Sequence, residues 1–140
     1  MSVSSEATTM WQGSLTEGSG VVTFASGTGT LPVTWASRSG VAADTTTPEE
    51  LIGAAHSSCY SMALSHALTG NGTPPETISA TAAVTFVPGT GITGSHLLVT
   101  ARVPGLGAED FLRFAEDAKA NCPVSKALAG VPITLEATLA

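Results

Sequence analysis

Two cysteines, Cys59 and Cys122, stand far apart in a chain of 140 residues, and each sits where its neighbours change what a thiol can do. Cys59 lies in a long apolar segment among Ala55, Tyr60, Met62 and Ala63. Burial there raises a thiol's pKa and leaves it inert unless a cation or strong hydrogen bonds support the thiolate. Cys122 directly precedes Pro123 at what reads as a helix start, so free N–H groups and the positive end of a helix dipole face its sulfur. Lys126, one turn on, adds positive charge. The pairing points to thiol redox chemistry. The plain alternatives are a small core residue at Cys59 and an incidental thiol in a turn at Cys122.

Other side chains bear on that chemistry. His56 precedes Cys59 by one helical turn, which makes the two side chains neighbours and a Cys–His nucleophile pair geometrically possible. Against it stands a hydrogen-bonded core histidine. His66 and His96 have no spacing that pairs them with the cysteines, and neither Cys-x-x-Cys nor His-x-x-x-His occurs. A metal site built from Cys59, Cys122, His56 and a carboxylate is a weak signal. Arg38 and Glu49 are further candidates, as a charge pair or as an exposed loop charge and a helix-dipole carboxylate. Glu49 and Cys59 lie about 15 Å apart along one helix and cannot touch within it. Glu49 would have to act from a second copy of the chain or by organising Arg38. With no metal, flavin or haem motif, no cofactor is expected.

The elements that position these residues are legible in outline. Thr8–Ser14, Val21–Ala25 and Leu31–Ala36 read as short strands between Gly- and Ser-rich turns, an antiparallel meander. Residues 37–47 read as a polar, irregular loop that carries Arg38. Thr47-Pro48-Glu49-Glu50 is a helix opening, with a cap, a proline at the first helical position and carboxylates at the positive dipole end. That helix should run to about Leu68 and stop at Gly70-Asn71-Gly72. Its residues are apolar or small nearly throughout, so it is expected to be surrounded on most sides. Alternation from Ile78 to Phe86 and from Leu97 to Val103 predicts two half-buried strands. An amphipathic helix follows over Ala108–Ala120, then a short helix over Pro123–Ala129 and a last strand over Ile133–Leu139. The order indicates one α+β domain over residues 1–140, mostly antiparallel.

Composition narrows the function. Net charge is −6 with only five basic residues, which argues against nucleic acid, whose phosphates need clustered Lys and Arg. Residues 1–9 lack the pattern of a secretory signal, and Leu51–Leu68 holds too many Ser and His residues to span a membrane. A cytoplasmic location is expected. Two cysteines in a reducing compartment are not a structural staple.

The run Thr47-Pro48-Glu49-Glu50-Leu51-Ile52-Gly53-Ala54-Ala55-His56-Ser57-Ser58-Cys59-Tyr60-Ser61-Met62, with Asn121-Cys122-Pro123-Val124-Ser125 far downstream, closely resembles the OsmC/Ohr family of thiol-dependent peroxidases. The wording of Ile52–His56 is that of the OsmC branch. The resemblance implies an intertwined α+β homodimer, with antiparallel sheets around central helices that carry the cysteines. It implies reduction of organic hydroperoxides, and of hydrogen peroxide, at sites on the subunit interface. By motif position, Cys59 would be the peroxidatic nucleophile and Cys122 the resolving cysteine. Arg38 and Glu49 would be the pair that holds the thiolate and orients the peroxide. The resemblance also implies an external dithiol reductant, of lipoyl type in part of the family. Two departures are visible: Thr46-Thr47-Pro48 replaces the family's usual Thr-Asn-Pro, and the loop from Arg38 to Pro48 is about one residue longer. A redox sensor and a non-catalytic binding dimer are the alternative functions.

Overall fold

Glycine-bearing turns fold the N-terminal segment back on itself twice. The computed structural model describes residues Met1–Ala140, which divide into two units, Met1–Leu51 and Ile52–Ala140. In the first unit, β1 (Ala7–Gln12), β2 (Ser19–Phe24) and β3 (Thr30–Val33) form an antiparallel sheet in that order. Gly13, at φ +90°, makes the first reversal, a backbone region open to glycine and strained for other residues.

The third strand ends three residues before the predicted Ala36. Thr34 turns the chain instead: its hydroxyl accepts the Ser37 N–H and caps a short helix, α1 (Trp35–Arg38). The apolar alternation of Leu31 to Ala36 suggested a strand, and this cap interrupts it. Arg38 therefore ends a helical turn rather than sitting in an irregular loop.

The long helix α2 (Pro48–Gly70) begins in the first unit and continues into the second. In the second unit it is followed by β4 (Thr77–Val87), β5 (Gly91–Arg102), α3 (Ala108–Asn121), α4 (Pro123–Ala127) and β6 (Ile133–Leu139). The sheet order is β4-β5-β6, with β4 antiparallel and β6 parallel to the central β5. Three of the four strand pairs are antiparallel, as the mostly antiparallel expectation has it, and this pair is the parallel one. Its cause is the connection: α3 and α4 carry the chain back to the starting end of β5, as a parallel crossover requires.

Alternation sorts the faces as predicted. Leu97, Val99 and Ala101 of β5 are buried, while Leu98, Thr100 and Arg102 point outward. The buried residues form one core with Tyr60, Leu64 and Leu68 of α2, Phe111 and Ala118 of α3, and Cys122. The Tyr60 hydroxyl donates to the Ala115 carbonyl at 3.0 Å and ties α2 to α3. Gly53, His56, Tyr60, Leu64 and Leu68 make the buried stripe of α2, whereas Ala54, Ala55, Ser58 and Met62 are exposed. One apolar, small-residue face of this helix is thus uncovered in the single chain.

Two glycines of α2 separate packing from propensity. A Cβ on Gly53 would stand 2.7 Å from the Ala82 carbonyl oxygen of β4, whereas one on Gly70 would meet open space. Replacing a helical glycine by alanine gains up to about 1 kcal/mol of propensity, but overpacking costs roughly 1–3 kcal/mol. Gly53→Ala is expected to lower Tm and Gly70→Ala to leave it unchanged or raise it, read by thermal circular dichroism. A Gly53→Ala chain as stable as the native one would refute this close approach of helix and strand.

Candidate active site

Arg38 and Glu49 meet in the first unit because the chain between them is tied back locally. Ser37 Oγ donates to Asp44 Oδ1 at 3.1 Å and accepts the Thr45 N–H at 3.2 Å, and Thr46 pairs with Val33 of β3. At the start of α2, Thr47 Oγ1 accepts the Glu50 N–H at 3.0 Å, while Thr46 Oγ1 donates to the Glu50 carboxylate at 2.7 Å. Glu50 thus serves the helix start and Glu49 takes the arginine. Arg38 Nε and Nη2 both donate to Glu49 Oε1, at 3.0 and 2.9 Å. The Glu49 side chain is only 8% exposed, so its charge needs this partner and the helix N-terminus. The same unit holds an apolar cavity of about 420 Å³, lined among others by Trp11, Leu15, Val22, Val33, Trp35 and Leu51.

The two cysteines meet in the second unit. Both are free thiols; Cys122 is fully buried, and Cys59 is partly exposed and packs against the core that contains it. The two thiols are neighbours in that core, and each affects the other's ionisation. Burial, and next the Cys122 sulfur, push the Cys59 thiol above its ordinary pKa, with the Val124 amide acting weakly the other way. Burial would raise Cys122 too, but hydrogen bonding from Cys59, from the Ser125 amide and hydroxyl and from the Val124 amide outweighs it and holds Cys122 low. Cys122 stands at the N-cap of α4, with Pro123 at its first turn. Its side chain makes no cap hydrogen bond, so the amides at the head of α4 act on the sulfur through their dipoles. Within residues 52–140, the surroundings therefore favour charge on Cys122 over Cys59.

His56 does not pair with Cys59. Its Nδ1 lies 2.7 Å from Ser95 Oγ and its Nε2 lies 2.9 Å from Ser125 Oγ, so both ring nitrogens are committed to hydroxyls. Burial lowers its pKa and keeps the ring neutral. Those contacts remove the Cys–His nucleophile pair and occupy the nitrogens that a metal would need. Sequence reasoning passed over Ser95 and Ser125. Ser125 had a local signal, since three positions after a helix-capping Cys122 place it on the same side of the turn; Ser95 had none. The candidate residues are thus brought together as two pairs, Arg38 with Glu49 and Cys59 with Cys122.

Comparison with known proteins identifies the family. The family described as OsmC-like protein matches residues 41–136. Curated relatives named Peroxiredoxin OsmC, from Escherichia coli (strain K12) and Shigella flexneri, are each 38% identical over 132 residues, covering 91% of this chain and 92% of theirs. An OsmC-like protein from Mycoplasma pneumoniae shares the fold at TM-score 0.76 and 14% identity, over 99% of both chains. The organic hydroperoxide resistance protein OhrB of Bacillus subtilis does so at TM-score 0.67 and 22% identity, over 95% of this chain and 98% of its own. With the motifs around both cysteines, the match over most of the chain establishes that this protein belongs to the OsmC-like family.

Proposed function

We propose that this protein is a thiol peroxidase that reduces organic hydroperoxides, and hydrogen peroxide, by a cycle between Cys59 and Cys122. The observation that carries the reading is the pair of free thiols in one core cluster, one partly exposed and one buried. A partly exposed nucleophile can meet the peroxide, and a buried partner packed in the same cluster can capture the product. The Cys59 thiolate attacks the distal peroxide oxygen; the O–O bond breaks, the alkoxide takes a proton and leaves as alcohol, and Cys59 becomes a sulfenic acid. The Cys122 thiolate then attacks the Cys59 sulfur, the S–S bond forms, and hydroxide leaves and is protonated to water. An external dithiol, of lipoyl class in this reading, reduces the disulfide and is itself oxidised.

Arg38 is the cation assigned to Cys59. Guanidinium stays charged and presents several donors in one plane, which suits a sulfur and a peroxide oxygen at once. Glu49 holds it by two hydrogen bonds, so it is oriented before substrate arrives. The apolar cavity of the first unit suits a hydrocarbon tail better than a small polar peroxide. The working form in this reading is an intertwined homodimer, supported by the uncovered Ala54, Ala55, Ser58 and Met62 face of α2, with Met62 71% exposed. No helix is long and apolar enough to cross a membrane.

A peroxide-consumption assay with cumene hydroperoxide or hydrogen peroxide, and dithiothreitol or dihydrolipoamide as reductant, tests the cycle. Repeated turnover is expected, Cys59→Ser should abolish it, and Cys122→Ser should let Cys59 reach a sulfenic acid trappable by dimedone without an internal disulfide. A single stoichiometric oxidation would mark a redox sensor instead, and no oxidation at all would mark a non-catalytic dimer.

A second prediction concerns charge. The thiolate is the active form, so the rate rises with pH through the Cys59 pKa, and losing a neighbouring cation moves that midpoint up by about 1–3 units. Arg38→Ala is expected to lower kcat/KM by about 10-fold or more at neutral pH, a loss that shrinks as pH rises. An Arg38→Ala profile that overlays the native one would remove Arg38 from the role. Light scattering should return twice the 14.0 kDa chain mass, and Met62→Asp should shift it toward the single chain; a monomeric native protein would contradict the dimer.

A further inference from the structure

Behind the thiol pair runs a line of polar side chains to which the peroxidase cycle gives no task. His56, Ser95 and Ser125 are all buried, and they come from α2, β5 and α4. His56 Nδ1 faces Ser95 Oγ at 2.7 Å and its Nε2 faces Ser125 Oγ at 2.9 Å. Ser125 is the third residue of the helix that Cys122 caps, so its hydroxyl neighbours both the imidazole and the Cys122 sulfur.

A serine hydroxyl has one proton to give, and a neutral imidazole has one N–H and one bare nitrogen. If the ring proton sits on Nδ1, the bare Nε2 draws the Ser125 proton and the Cys122 sulfur receives none from Ser125. If it sits on Nε2, the ring donates to Ser125 Oγ, and the Ser125 proton is left for the sulfur. In that second arrangement the Ser95 hydroxyl donates to Nδ1, Nε2–H donates to Ser125 and Ser125 donates to Cys122. Every group is then used, in a core where no buried side-chain nitrogen or oxygen lacks a partner. The titratable groups beside Cys122 are Cys59 and Tyr60, both on α2, and the Tyr60 hydroxyl already donates to the Ala115 carbonyl.

We infer that His56 is a positioning residue: held by Ser95 as the Nε2–H tautomer, it directs the Ser125 hydroxyl onto the Cys122 sulfur. His56 touches neither thiol; it acts through Ser125. The His56–Ser95 and His56–Ser125 contacts stand on the geometry; the last step, from Ser125 to Cys122, is the inference, and its use in the cycle rests on the peroxidase reading. In that cycle it favours the Cys122 thiolate for attack on the oxidised Cys59, and makes Cys122 the better leaving group when the disulfide is reduced.

Imidazole nitrogen shifts by NMR on the reduced native chain should show His56 protonated on Nε2 and bare on Nδ1. In a Cys59→Ala background, where Cys122 titrates alone, thiolate ultraviolet absorbance against pH reads its midpoint. Adding Ser125→Ala should raise that midpoint by about one unit, and Ser125→Thr, which keeps the hydroxyl, should restore it. An Nδ1–H tautomer, or an unchanged midpoint in a folded Ser125→Ala chain, would overturn the inference. Should Ser125→Ala fail to fold, the tautomer decides by itself. Neither measurement needs peroxide turnover, so a relay found in a chain that consumes no peroxide would sink the peroxidase reading alone.

Discussion

Two neighbouring thiols, Cys122 buried and Cys59 partly exposed, cannot both carry charge at low cost, and the second unit is arranged around that constraint. Each added negative charge in a desolvated pair opposes the next, so the surroundings decide which sulfur ionises first. The amides of Val124 and Ser125 at the head of α4, with the Ser125 hydroxyl, lie against Cys122 and favour it. Cys59 has little comparable support, because its position inside α2 commits the neighbouring amides to the helix ladder.

In the proposed peroxidase cycle, that division would give the two sulfurs different physical needs. The buried sulfur is stabilised by hydrogen bonds that the fold supplies permanently. The first unit separately holds a guanidinium in a fixed orientation: Glu49, nearly buried at the positive end of α2, keeps Arg38 by two donors on one oxygen. Glu50, the adjacent carboxylate, is engaged with Thr46 and the helix cap. Two neighbouring glutamates thus do separate work, one closing the helix end and one holding a cation.

Much of this was legible from local sequence, for identifiable reasons. The opening of α2 at Pro48 follows from Thr47, Pro48 and two carboxylates, all of which act within one turn. The faces of β4, β5 and β6 follow from strict alternation. Cys122 as a helix cap follows from its position before Pro123. The end of β3 was not legible, because Thr34 to Ala36 satisfies a strand pattern until the Thr34 hydroxyl accepts the Ser37 N–H. The parallel pairing of β6 depends on where two intervening helices return the chain, which no pattern within the strand records.

The sequence by itself determined the chemistry on offer: two thiols in unlike settings, an arginine before a carboxylate-rich helix start, and an α+β order of elements. Those properties reside in residue types and short spacings, so they survive without coordinates. Only the tertiary structure decided that Cys59 and Cys122 pack in one core cluster, that Arg38 is bound by Glu49, and that His56 faces Ser95 and Ser125 rather than a thiol. The physical reason is separation along the chain. His56 is 39 and 69 positions from its two hydroxyl partners, and directional bonds of about 3 Å between such residues exist only after sheet and helices have packed.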